Sequence, residues 1–277
     1  MTEYQDGINR HYGNFDLPAR ILDKLRSAGK DPEALTREDL APFDEFHTGG
    51  RTSTRELSGL AGLRPGMQVL DLGSGIGGPA RTLAAEFGAI VTGLDLTEEF
   101  CRAATMLTKL VGLADSVTFR HGNALDMPFP DQTFDVAWSQ NTIMNIAGKE
   151  QLFREVHRVL RPGGVLALEA VFSGRMQGTI YPTFWASSDA INFLVPADEA
   201  RSVLTQSGFA EEIWEDTTVP TLKAAQQRHA PTPVSGLPAL GRDVIVMREV
   251  EKKIQNAVRN LEDGRIVTAR GVFRRLP

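Results

Sequence analysis

Between residues 66 and 170 the chain alternates short apolar runs with amphipathic stretches, and the two periodicities predict different elements. The runs MQVLDL (67–72), AIVTGLDL (89–96), SVTFR (116–120), FDVAWS (134–139) and VLALEAVF (165–172) are short and mostly apolar, as strands covered on both faces are. Between them apolar residues recur at helical spacing. Ala80, Leu83, Ala84 and Phe87 share one face, and Leu152, Val156, Val159 and Leu160 share another. Pro79 falls in the first turn of its helix, where a missing N–H costs nothing, and Gly88 ends that helix. Thr97 reads as an N-cap followed by Glu98 and Glu99 at the positive helix end, with Gly112 as the stop. The RPGG stretch (161–164) closes the helix that precedes the fifth run. Such alternation predicts an α/β fold: a Rossmann-like, doubly wound, mostly parallel sheet of the seven-strand type.

The flanks follow other patterns. Residues 1–58 hold an amphipathic helix (Leu17, Ile21, Leu22, Leu25) and no clear strand, which predicts a helical N-terminal cap. Residues 59–171 form the α/β core. Residues 172–208 begin aromatic-rich and irregular, FSGRMQGTIYPTFWASSDAINFLVP, and read as a pocket-forming insertion with a helix. Residues 209–277 supply two further strands, FAEEIWEDTTV and RIVTARGVFRR, separated by a Pro-containing loop and a long polar helix. The stretch REVEKKIQNAVRNLEDGR in that helix mixes charge signs, so it reads as a solvated face or a dimer contact.

Composition narrows the function classes. A net charge of −5 over 277 residues argues against a partner held through phosphate contacts, so no nucleic acid is expected. The single cysteine, Cys101, rules out an intrachain disulfide and a cysteine-cluster metal site, and no metal is expected. The first residues are polar and lack the apolar core of a signal peptide, and no run approaches a membrane span. A soluble, cytoplasmic protein with a small-molecule partner is the expectation.

The chemistry gathers at VLDLGSGIGGPAR (69–81). Gly73, Gly75 and Gly78 match the G-x-G-x-x-G fingerprint of dinucleotide loops, which alone is a weak signal. Ligands of open α/β sheets bind beyond the carboxyl ends of the strands. Those ends carry Asp71 with Gly73, Ser74 and Gly75; Asp95 with Leu96; Asn123 with Ala124; and Ser139 with Gln140. Asp95 stands about twenty residues past the glycines, where a ribose-binding carboxylate is expected. Asp71 discriminates between ligands, because its carboxylate would repel a pyrophosphate and attract an ammonium. S-adenosylmethionine offers a ribose for Asp95, an ammonium for Asp71 and a carboxylate for the helix N-terminus. The alternative for Asp71 is a helix cap that touches no ligand. A side chain at Gly73 is expected to occupy the cofactor's path.

VLDLGSGIGGPAR, VTGLDLT, HGNALDMPFPDQTFDVAWS and LFREVHRVLRPGGVLAL, in that order over roughly residues 47–170, resemble the class I S-adenosylmethionine-dependent methyltransferases of the small-molecule type. Within that class the chain resembles the group of quinone-ring C-methyltransferases and sarcosine/dimethylglycine N-methyltransferases, the WSQ at 138–140 being close to the latter. The upstream FHTGGRTSTREL shares the family look, and the resemblance implies that Gly50 approaches the cofactor. Two departures stand out. GNA replaces the usual Gly-Asp-Ala, so the Asn123 amide oxygen would take the place of a carboxylate toward the adenine amino group. NTIMNI, with Asn141 and Asn145, stands where relatives carry His or Asp, which leaves no evident base at that rim.

The resemblance implies methyl transfer to a small organic acceptor at nitrogen, oxygen, carbon or sulfur, with release of S-adenosylhomocysteine. Tyr12, Phe15, Phe46, Asn141, Met144, Asn145, Tyr181 and Trp185 are the candidate acceptor wall, with Ile143 and Phe184 beside them, a lining suited to an apolar or aromatic molecule. His47, next to Gly49 and Gly50, is the first candidate base and His11 the second. His157 reads as scaffold, Cys101 as helix packing, and Glu169 as either pocket-facing or paired with an arginine. Two rivals remain: an NAD(P)-dependent oxidoreductase, against which Asp71 counts, and a protein that binds S-adenosylmethionine without transferring its methyl group.

Overall fold

The computed structural model describes residues 7, 16–45, 47–227, 240–245 and 249–277. The strands β1 (Gln68–Leu72), β2 (Ile90–Asp95), β3 (Val117–His121), β4 (Phe134–Gln140), β5 (Leu160–Ser173), β6 (Phe209–Asp216) and β7 (Ile266–Arg275) form one sheet in the order β3-β2-β1-β4-β5-β7-β6. β1 to β5 run parallel, and β7 lies antiparallel between β5 and β6. The helices are α1 (Leu17–Ser27), α2 (Arg37–Leu40), α3 (Gly50–Leu60), α4 (Gly78–Phe87), α5 (Glu98–Leu110), α6 (Lys149–Val159), α7 (Ala197–Gln206), α8 (Thr218–Gln227) and α9 (Val250–Glu262).

Both faces of the sheet are covered, which explains the near-continuous apolar runs. Val69, Val91, Val136 and Trp138 pack with Leu57 of α3 and with Ala80 and Leu83 of α4. Leu70, Leu72, Leu166 and Leu168 pack on the other face with Leu152 and Val156 of α6 and Leu204 of α7. Each such fully buried side chain contributes about 1.5–3 kcal/mol. At the edge, Leu17, Ile21 and Leu25 of α1 close over Phe100, Ala103 and Leu107 of α5, with Val244 and Ile245 completing the cluster. Leu22, expected on that face, is only half-buried.

Four local details differ from the sequence reading. α4 buries Arg81 and Thr82 completely while Phe87 stays half-exposed, because Arg81 finds a buried partner in Asp44. RPGG does not separate helix from strand. Leu160 already pairs with Phe134, and after a bulge Val165 pairs with Val136, so β5 runs through it. α3 continues to Leu60 and β5 to Ser173, across the expected boundaries at 58 and 171. A helix, α8, stands where a loop was expected after β6, with Pro220 tolerated in its first turn. Among the described residues, no helix is long and apolar enough to cross a membrane.

Candidate active site

A cavity of about 690 Å3 opens at the carboxyl ends of β1, β2 and β4 and extends to the insertion, α8, α9 and β7. Its size is within the range of small-molecule sites. One end is built on the turn between β1 and α4. Gly73, Gly75 and Gly77 take φ values of +67°, +53° and +82°, which side chains rarely adopt, so the chain can reverse within a few residues. The two fingerprint glycines on the cavity wall differ in what they protect. A Cβ at Gly73 would lie 2.3 Å from the Thr142 side chain, whose hydroxyl donates to the Leu72 carbonyl at 3.0 Å. The expected reason for Gly73 therefore changes, because the protein's own Thr142 fills that space. A Cβ at Gly75 would meet nothing within 4 Å, which makes Gly75 the open cradle.

Asp95 fixes that cradle. One oxygen accepts from the Gly75 N–H and the other from the Thr97 N–H, both at 2.8 Å. Burial raises the Asp95 pKa, opposed by those two backbone donors. The Thr97 side chain bonds the carboxylate as well, which leaves part of its acceptor capacity for a ligand hydroxyl. Leu96, Asn123 and Ala124 continue the wall. The Asn123 amide oxygen accepts from the Leu125 N–H at 2.9 Å, so it is partly occupied in an Asx-type turn. Arg81 supports the loop from below, donating to the Ile76 carbonyl, Thr108 and Asp44 at 2.9, 3.1 and 3.2 Å.

Asp71 and Ser139 do not form the cavity wall; they lie buried behind it. Asp71 Oδ2, Ser139 Oγ, Ser74 Oγ and Asn141 Oδ1 are buried without a hydrogen-bond partner. Native interiors rarely leave such groups unmade, and four around one loop fit a polar ligand that supplies the missing bonds. Burial pushes the Asp71 carboxyl up to about 7, with Asp95 and Glu45 adding to the rise and His47 opposing it. Asn141 sits at φ +52°, a strained conformation for a non-glycine residue, and donates to Thr48 Oγ1 at 2.9 Å.

His47 is not the base that its position suggested. Its Nδ1 lies 2.9 Å from the Thr48 carbonyl and its Nε2 lies 3.2 Å from Glu45 Oε2, so acceptors flank both nitrogens. Burial disfavours the charge, but Glu169 and Glu45 outweigh it and lift the His47 pKa to about 9. The two carboxylates thus favour the imidazolium, which has no lone pair to accept a proton. Among the described residues Glu169 neither lines the cavity nor pairs with an arginine. It accepts from Ser53 Oγ and lies 3.8 Å from His47 Nδ1. Thr54 Oγ1 of α3 lies 2.6 Å from Glu45 Oε2 and 3.1 Å from Gln140 Oε1 of β4, which ties α3 to β4 beneath the rim. Gly49 and Gly50 then turn over this network at φ +84° and +57° into the cavity wall. Among the described residues no cluster of His, Cys, Asp and Glu is placed to hold a metal.

The other end of the cavity is apolar. Met144 and Asn145 in the turn after β4, with Phe184 and Trp185 of the insertion, reach the wall as expected. The Asn145 amide donates to the carbonyls of Trp185 and Ile191 at 2.8 and 3.1 Å, so it positions the insertion. Tyr181 is absent from the wall, its hydroxyl donating to Asp189 at 2.6 Å, and Ile143 belongs to the core beneath. Tyr12, Phe15, Phe46 and His11 lie outside the described residues. The sequence reading missed the far wall. Val250, Ile254, Ala257 and Leu261 of α9 face the cavity at i, i+4, i+7 and i+11, a spacing visible in the charged stretch read as a solvated face. Asn256 and Asn260 on the same helix donate to the Pro182 and Ile180 carbonyls, both at 3.0 Å, and hold α9 to the insertion.

The strand order with a reversed β7 and the glycine loop at the end of β1 define the fold of the class I methyltransferases. Residues 70–168 match the family model described as a methyltransferase domain. The chain is 39% identical over 107 residues to a sterol 24-C-methyltransferase of Gibberella zeae, a match covering 39% of this chain and 28% of that protein. It is 34% identical over 209 residues to phosphoethanolamine N-methyltransferase 3 of Arabidopsis thaliana, covering 75% and 41% respectively. It thus spans less than half the length of either relative. Among solved structures, geranyl diphosphate C-methyltransferase from Streptomyces coelicolor superposes with a TM-score of 0.72 at 21% identity, covering 99% of this chain and 98% of that one. The chain thus has the fold of the class I methyltransferases and carries a methyltransferase domain over residues 70–168, and the relatives it resembles methylate small molecules.

Proposed function

We propose that this chain transfers a methyl group from S-adenosylmethionine to an uncharged apolar or aromatic small molecule. The supporting observation is one continuous cavity that joins the Gly75–Asp95 cradle to an apolar wall of Met144, Trp185 and α9. Gly75 leaves room for the cofactor, Asp95 offers lone pairs to its ribose, Asp71 and Ser74 offer acceptors to its ammonium end, and Asn123 lies beside its base. The bound cofactor supplies an electrophilic methyl on a sulfonium, so the hard step needs no further activation by the protein. The described residues have the task of orienting the acceptor and excluding water, which contributes up to about 7–11 kcal/mol in favourable systems. Proton abstraction is not assigned to His47, whose charged form is favoured. The single cysteine, Cys101, is free, which is in keeping with a reducing compartment, and we place the protein in the cytoplasm. The outward charged face of α9 remains the proposed contact should the protein dimerise.

The test is a thermal-shift comparison with S-adenosylmethionine, S-adenosylhomocysteine, NAD and NADP. Ligand at about 100 times its Kd adds roughly 2.7 kcal/mol, which moves the midpoint by several degrees. Shifts with the first two only are expected, followed by a mass gain of one methyl on an acceptor from a small-molecule screen. A shift with NAD or NADP alone would refute the reading.

A further inference from the structure

The apolar half of the cavity carries one polar feature that methyl transfer does not use. Three threonine hydroxyls form a chain: Thr217 Oγ1 donates to Thr268 Oγ1 at 3.0 Å, and Thr268 Oγ1 donates to Thr221 Oγ1 at 3.0 Å. Thr218 joins the same cluster, exchanging hydrogen bonds with the Thr268 backbone at 3.1 and 3.3 Å. Thr268 is 3% exposed on β7, while half-buried Thr221 on α8 ends the chain at the cavity. In this arrangement the Thr221 hydroxyl receives one hydrogen bond and keeps its own proton to give. The wall around it is Ala224, Ala225, Ile254 and Ala257, with no charged side chain beside it among the described residues. Linked hydroxyls polarise one another, and a donor in apolar surroundings gains more from a partner than it would in water.

The sheet sets the distance to this group. β7 stands three strands from β1 in the order β1-β4-β5-β7, and at roughly 4.8 Å per strand the threonines lie about 14 Å across the sheet from the glycine loop. We infer that the acceptor is an elongated, apolar molecule carrying an uncharged oxygen, a hydroxyl or a carbonyl, at the end remote from the methyl-accepting atom, and that Thr221 binds that oxygen. This inference rests on the proposed acceptor cavity and names the class of molecule that fills it. A role confined to tying α8 to β7 would predict no discrimination between ligands with and without the oxygen.

The experiment uses the full chain saturated with S-adenosylhomocysteine and two rigid probes of matched shape, 4-phenylphenol and biphenyl, with Kd measured by equilibrium dialysis. The wild type is expected to bind 4-phenylphenol more tightly than biphenyl. Thr221→Val keeps the side-chain shape and removes the hydroxyl, and is expected to weaken 4-phenylphenol by about three- to tenfold, the loss of one neutral hydrogen bond, while biphenyl is unchanged. Thr221→Ser restores the preference. Thermal midpoints of both variants check that they remain folded. Equal changes for both probes, or none for either, overturn the inference. Failure of both probes to bind a protein that still binds S-adenosylhomocysteine also overturns it and leaves the cofactor site standing; failure to bind S-adenosylhomocysteine removes the function on which it rests.

Discussion

Replacing Asp71 by asparagine separates a ligand-directed carboxylate from a helix cap. In the cofactor-free protein burial lifts Asp71 from its ordinary 3.8 to about 7. The folded state therefore holds this proton more tightly than the unfolded state does. The associated stability is full below about pH 4 and is lost as pH rises through 7, where the buried carboxylate ionises. At about 1.36 kcal/mol per unit, three units put the upper end of the cost near 4 kcal/mol above pH 7. The Asp71→Asn side chain would escape that cost while leaving a buried amide donor without an acceptor, at about 1–3 kcal/mol. The variant should thus gain on the wild type by a few kcal/mol between pH 5 and pH 8. In a chain of this length, that difference is several degrees in thermal midpoint. Cofactor binding should move the other way. Removing a charge-assisted partner for the ammonium costs about 1.5–3 kcal/mol, roughly ten- to a hundredfold in Kd at pH 7.5. Wild-type affinity should rise several-fold from pH 6 to pH 7.5 as Asp71 ionises, and the variant should lose that dependence. Midpoints by differential scanning fluorimetry and Kd by calorimetry test both arms. A variant destabilised equally at pH 5 and pH 8, with unchanged cofactor affinity, would show that Asp71 caps the loop and faces no ligand.

Four further substitutions probe the rest of the site. Gly75→Ala should retain the fold at a cost of about 1–2 kcal/mol for its left-handed backbone and abolish S-adenosylhomocysteine binding in calorimetry, whereas Gly73→Ala should lose stability first, because its Cβ meets Thr142. Arg81→Ala strands the buried Asp44 and should cost about 3–5 kcal/mol in urea unfolding, far more than a surface arginine would. Ile254→Trp fills the acceptor end, so cofactor binding should persist in a thermal shift while binding of an apolar probe such as biphenyl is lost; retention of both would remove α9 from the site.

The limits of what the sequence reveals follow from where each partner lies along the chain. β1 to β5 are legible because strands covered on both faces must be apolar throughout, and the glycine loop is legible because its backbone demands are local. Asn123 is a local case that could have been read further, since an Asn followed two residues later by a free N–H commonly closes its own turn. The place of His47 beside Gly49 and Gly50 is legible, yet its charge state is not. Glu45 is two residues away, but Glu169 reaches the ring only because β5 pairs with β4 at Gln140. Arg81 poses the same difficulty: an arginine among Ala80, Leu83 and Ala84 reads as a solvated position until Asp44 folds beneath it. The far wall is a different failure, because the spacing of Val250, Ile254, Ala257 and Leu261 is present in the sequence and the charges around it point to the opposite face. Local rules therefore recover the glycine loop and the carboxyl-end residues around it, while the electrostatics beneath them and the shape of the apolar end of the cavity emerge only when the sheet brings α3, β5 and α9 together. The apolar end of the cavity draws Met144 and Asn145 from the matched residues 70–168 and Trp185, Thr221 and α9 from outside them, so on the proposed reading the choice of acceptor is made jointly by the shared domain and the C-terminal part of the chain.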